Sequence, residues 1–155
     1  MKQRIDKILE PVLITMLAIM LLSVLWQVFS RYLLKSPSSI TEELARYMLI
    51  WVGTLGAAYA AGSKLHLAIT LFPDKLSPEK RQKLQLVLNA LVILFSVAVF
   101  CIGGSRLVYI TNTLGQTSPA LGVPLHFVYA IIPVSGVLII WYNLIEVIEI
   151  LTQKK

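Results

Sequence analysis

Charge, cysteine and histidine are all scarce in this chain, and each scarcity closes off a class of function. Of its 155 residues only 14% are charged and 57% are hydrophobic, giving a mean hydropathy of +0.77. Soluble domains hold about 25% charged and about 45–50% apolar residues, so a soluble enzyme, a nucleic-acid-binding module and a disordered tail are all excluded. The lone cysteine, Cys101, can close no intramolecular disulfide and build no multi-thiolate metal site. It lies in an apolar run, where it serves as packing. No apolar run carries a mid-bilayer Asp, Glu or Lys, which argues against a proton-coupled carrier or pump made of this chain alone.

What is present is apolar sequence in lengths that fit a bilayer. Pro11–Ser30, Tyr47–Ser63 and Leu84–Ser105 are free of charge, and Leu107–Ile145 is too long for one crossing. That last stretch is divided by the turn-rich segment with Asn112, Gly115, Ser118, Pro119, Gly122 and Pro124. The pattern predicts an all-α membrane protein, one domain over 1–155, with four transmembrane helices at about 11–34, 40–63, 78–110 and 124–151. Helices are required because an isolated strand leaves its backbone groups unsatisfied in lipid. Lys2, Arg4 and Lys7 precede the first run as in a signal peptide. The run exceeds an h-region and no A-x-A-like site follows, so it is expected to be retained.

Basic residues set the direction. With the N-terminus inside, Lys2, Arg4, Lys7, Lys64, Lys75, Lys80, Arg81, Lys83, Lys154 and Lys155 are cytoplasmic, and only Arg31, Lys35, Arg46 and Arg106 are outside. This bias places both termini in the cytoplasm and accounts for the net charge of +6 without an acidic partner. Local signals agree. Ser39-Ile40-Thr41-Glu42 fits a capping box, and Ser77-Pro78-Glu79 reads as an N-cap with proline at the first helical position. Pro124 is placed to open the last helix and Pro133 to kink it.

The candidate sites are few. Gly53, Ala57 and Ala61 recur every four residues and form a small-residue stripe, suited to close packing within the chain or against another polypeptide. Glu42, Glu43 and Arg46 form a polar cluster at a membrane boundary, either a solvated helix entrance or an interhelical or intersubunit contact. With no base or nucleophile beside it, the cluster is not catalytic. His66, inside, reads as a hydrogen-bonding loop anchor; His126, outside, as an interfacial residue. The two cannot share a metal or bracket a haem. Arg106 is placed to snorkel outward or to pair with an outer carboxylate. Arg31 and Lys35 form a basic ledge at the outer end of the first span. There they either hold lipid phosphates or attract a soluble partner, with the Thr111–Val123 loop beside them.

The run Glu42-Glu43-Leu44-Ala45-Arg46-Tyr47-Met48-Leu49-Ile50-Trp51-Val52-Gly53, followed by Ala57-Ala58-Tyr59-Ala60 and Lys64-Leu65-His66-Leu67, resembles the small, four-span (DctQ-like) membrane subunit of TRAP transporters. These are the tripartite ATP-independent periplasmic type. The loop Thr117-Ser118-Pro119-Ala120-Leu121-Gly122-Val123-Pro124, with Ile132-Pro133 after it, is similar as well.

The resemblance implies a scaffold subunit of a sodium-dependent secondary transporter in the bacterial inner membrane, not an enzyme. A periplasmic binding protein delivers an organic anion, such as a C4-dicarboxylate or sialic acid. A large multi-span membrane subunit carries it inward by an elevator-type movement. Substrate and sodium sites are then expected in the large subunit, with no cofactor, catalytic, substrate-binding or metal residue in this chain. Because the chain ends at Lys155, the large partner is expected to be separate. A four-span multidrug exporter would need a glutamate inside its first helix, and a membrane redox subunit would need paired histidines within spans; this chain has neither. The alternative function is a membrane-protein assembly or stabilising factor that does not transport.

Overall fold

A computed structural model describes residues 2–63 and 78–152. Its elements are α1 (Lys2–Tyr32), α2 (Ser39–Gly62) and α3 (Pro78–Phe95), which passes through a π-helical segment, Ser96–Gly103, into α4 (Gly104–Thr113). The chain finishes with α5 (Leu125–Tyr129) and α6 (Ile131–Thr152). The described residues thus form four rods. Their only strand-like feature is an isolated bridge between Thr117 and Pro124. Three of the rods, Ile5–Tyr32, Glu79–Thr113 and Leu125–Thr152, are long and apolar enough to cross a membrane. The rod formed by α2 is not among these three: Glu42, Glu43 and Arg46 crowd its start, and glycine and alanine fill its second half.

Several boundaries follow from local chemistry and one does not. Pro78 opens α3, where its missing N–H removes no helical bond; Ser77, its expected N-cap, lies outside the described residues. The capping box at Ser39–Glu42 does not form. The N-cap is Ser38, without a side-chain cap bond, and the Glu42 carboxylate turns instead to Arg46 at 3.1 Å. The helix begins one residue earlier than the box requires, so Ser39 lies inside its first turn and cannot cap it. At the other end of the chain Pro124 caps α5. The helix is interrupted at Ala130, between α5 and α6. Pro133 cannot donate to the carbonyl four residues back, at Tyr129, and its ring crowds that group. The break comes at that point.

In packing order α1 lies on α2, α2 on α6, and α6 on α3 and the π segment. Leu9, Leu13, Leu55 and Tyr142 form one buried cluster, and Ala58, Ala61 and Ile139 form another. Lipid provides no hydrophobic drive between helices, so their contact rests on close approach and hydrogen bonds. Glycines mark the approaches. A Cβ on Gly62 would stand 2.8 Å from the Tyr142 ring. One on Gly104 would stand 2.9 Å from Ile132, and one on Gly136 2.5 Å from the Cβ of Phe100.

Candidate functional site

The polar cluster at the start of α2 divides in two. Glu42 and Arg46 face outward as an ion pair, their side chains 62% and 64% exposed, worth about 0.2–1 kcal/mol at most in that setting. Glu43, the neighbouring residue, points the other way and is only 8% exposed. One carboxylate oxygen, Oε2, accepts the hydroxyl of Ser118 and the backbone N–H groups of Ala120 and Leu121, the latter two at 3.1 Å each. Glu42 and Arg46 take the solvated role open to this cluster, and Glu43 makes a buried contact with the loop that precedes α5.

Glu43 thereby fastens a loop that is already closed on itself. Ser118 N–H donates to Val123 O, Gly122 N–H to Ser118 O and Leu125 N–H to Gln116 O, each at 2.9 Å. Gly115 (φ 59°) and Gly122 (φ 67°) take left-handed conformations at the two corners, which cost glycine nothing and other residues a steric clash. The loop is a compact shape held by α2, where the sequence offered only a turn-rich break.

Trp51, two turns further along α2, donates its indole Nε1–H to Val128 O at 3.0 Å, beside the Ala130 interruption. At the opposite end of the bundle the Tyr142 hydroxyl donates to Asp6 at 2.6 Å, and Gln85 Nε2 donates to the buried carboxylate of Glu146 at 2.5 Å. Sequence reading missed these last two contacts. Their one signal was Tyr142 and Glu146, polar groups in an otherwise apolar helical window.

The small-residue stripe is divided by the structure. Of Gly53, Ala57 and Ala61, only Ala61 is buried within the chain. Gly53 and Ala57 lie on the exposed face of α2 with Glu42, Arg46 and Leu49, and a Cβ on Gly53 would touch nothing within 4 Å. Helix geometry explains the split: residues spaced by four drift around the axis, and α1 and α6 between them cover only part of α2. The close internal contacts belong instead to Gly62, Gly104 and Gly136.

Arg31 and Lys35 are both exposed. Arg31 lines a cavity of about 490 Å³ with Gln27, Pro37, Ser38 and Glu42, and Lys35 holds the left-handed corner (φ 53°) between α1 and α2. Arg106 is exposed and has no ion pair among the described residues. The His66 anchor lies outside the described residues. No group of three or more metal-ligating side chains occurs among the described residues.

An exposed ion pair, a fastened loop and an open small-residue face on α2 offer surfaces for assembly. Residues 20–153 match the family described as tripartite ATP-independent periplasmic transporters, DctQ component. The chain belongs to this family.

The DctQ-family chain is 32% identical to a small permease protein assigned to a TRAP transporter in Haemophilus influenzae, over 87% of this chain and 82% of the relative. It is 28% identical to the sialic acid TRAP transporter small permease protein SiaQ of Vibrio cholerae, over 97% and 86%. It also matches a stretch of the isethionate TRAP transporter permease protein DctMQ of Oleidesulfovibrio alaskensis at 30%, over 61% of this chain and 15% of that longer protein. The DctQ-family chain is a transporter component rather than an enzyme, and with its apolar rods it is an integral protein of the bacterial inner membrane.

Proposed function

We propose that this chain is the scaffold of a sodium-dependent importer of organic anions. It crosses the membrane four times, with both termini in the cytoplasm, and binds the large permease subunit. The observation that carries the reading is the division of labour along α2. One face is consumed by internal contacts through Glu43, Trp51, Ala58 and Ala61. The other, with Leu49, Gly53 and Ala57, is open to a second polypeptide. That a DctQ-like stretch occurs inside a much longer permease supports a lasting association of the two parts. The basic asymmetry supports the orientation, which puts the fastened loop, Arg31 and Lys35 in the periplasm, where a substrate-binding protein arrives. Sodium and substrate are held by the large subunit. The substrate is a carboxylate or related anion, in line with the sialic acid and isethionate named for relatives.

Reconstitution tests this reading. Proteoliposomes holding the chain, its large partner and the binding protein are expected to take up the anion only with an inward sodium gradient, and the chain alone is expected to move none. Uptake by the chain alone overturns the scaffold role. A reporter fused after Lys155 that is active only outside the cytoplasm overturns the orientation.

A further inference from the structure

The seam between α3 and α6 contains complementary polar atoms that are not joined. Asn89 is 1% exposed and Asn143 0%. The Asn143 amide N–H donates to Ile139 O at 2.8 Å, but its Oδ1 has no hydrogen-bond partner, and neither has Asn89 Nδ2. One unmatched atom is an acceptor and the other a donor. Inside a membrane no bulk water reaches such groups, so leaving them unpaired is costlier than at a soluble protein's surface.

Helix geometry puts the two side chains at one level. The Gln85–Glu146 hydrogen bond fixes the antiparallel register of the seam. Four residues forward on α3 and three back on α6, about one turn in the same direction on each, are Asn89 and Asn143. The next level is apolar and closed: Val92 packs there against Ala58, Ala61 and Ile139. The asparagines are therefore a polar level one turn from a buried carboxylate, separated by apolar packing from the buried hydroxyls of Ser96 and Ser135 further along the seam.

We propose that Asn89 Nδ2 and Asn143 Oδ1 bind one ordered water molecule between them. Water supplies the acceptor that Asn89 lacks and the donor that Asn143 lacks in a single small group, which is how buried polar atoms are commonly satisfied. A cation fits poorly, because the Asn89 amide directs its hydrogens at the same spot. A side chain from a partner protein cannot reach atoms this deeply covered. The bridged pair ties α3 to α6 next to the apolar level of Val92 and Ile139, and it goes beyond the assembly role proposed above.

The chain's asparagines are Asn89, Asn112 and Asn143, so asparagine-selective nitrogen-15 labelling of the full chain in micelles isolates the relevant amides. Asn112, which is exposed, serves as the freely exchanging reference. The Asn89 side-chain amide is expected to show a cross-peak to water with the sign of a long-lived bound molecule. That cross-peak is expected to vanish in Asn143→Leu and to persist in Asn143→Asp, which keeps an acceptor. Absence of the cross-peak in the unaltered chain overturns the proposal, and so does its survival in Asn143→Leu. A direct Asn89–Asn143 cross-peak in place of the water one also overturns it. Should Asn143→Leu fail to fold, the spectrum of the unaltered chain and of Asn143→Asp still decide.

Discussion

The indole of Trp51 donates to the carbonyl oxygen of Val128 at 3.0 Å and so joins two helices at the place where one of them breaks. The break comes from Pro133, whose ring and missing N–H disturb the carbonyls a turn earlier. Tryptophan suits the position because it offers a donor and no acceptor on a large apolar ring.

Trp51→Phe keeps most of the ring and removes the donor. The loss expected is about 0.5–1.5 kcal/mol of stability, read as a lower melting temperature of the chain in detergent. An unchanged melting temperature means that the bond contributes nothing net.

The loop fastening is testable by contrast between neighbours. Ser118→Ala removes a hydroxyl donor from a carboxylate, with an expected cost of about 1.5–3 kcal/mol and faster hydrogen exchange across Gln116–Val123. Glu43→Gln is expected to loosen the same segment. Glu42→Gln, which breaks only an exposed pair, is expected to leave the exchange pattern as it is. Equal effects of the two glutamine substitutions contradict the division of roles.

Glycine substitutions separate internal packing from the open face. Gly136→Ala sets a methyl against Phe100 and is expected to cost about 1–3 kcal/mol by overpacking. Gly53→Ala meets nothing in the chain and is expected to be neutral or up to about 1 kcal/mol stabilising through helix propensity. Gly53→Leu is expected to leave the isolated chain folded while lowering the yield of complex with the large subunit. A full yield shows that this face meets lipid.

The basic ledge predicts a kinetic effect. Arg31→Glu with Lys35→Glu is expected to raise the binding-protein concentration needed for uptake at low salt, and the difference is expected to shrink as salt is added, because rim charges act on association rate. If the concentration dependence is unchanged while the complex stays intact, the pair serves lipid phosphates instead.

The rods were legible in the sequence because lipid imposes a length and a composition on anything that crosses it. Pro78 and Pro124 marked helix starts for the reason proline always does, by lacking the donor that a first turn cannot use. The face of α2 was not legible. Glu42 and Glu43 are adjacent and alike in chemistry, and only the position of the loop around Ser118, 75 residues away, decides which is buried. The same holds for the glycines: spacing singled out Gly53, yet the partners that crowd Gly62 and Gly136 come from elsewhere in the chain. The π-helical segment Ser96–Gly103 gave no sign, since its residues are apolar and would suit an α-helix equally well.

The closed loop at Gln116–Leu125 has a thermodynamic consequence for whatever meets it. Its corners are set by two glycines, its rungs are made internally and its centre is gripped by Glu43. Ordering a segment on contact ordinarily takes a share of the interaction energy away from affinity. Here that ordering is complete before any encounter. For a protein that docks on this end of the bundle, the loop's shape is set by the chain's own contacts, so fit, rather than adaptability, is expected to govern which partner stays.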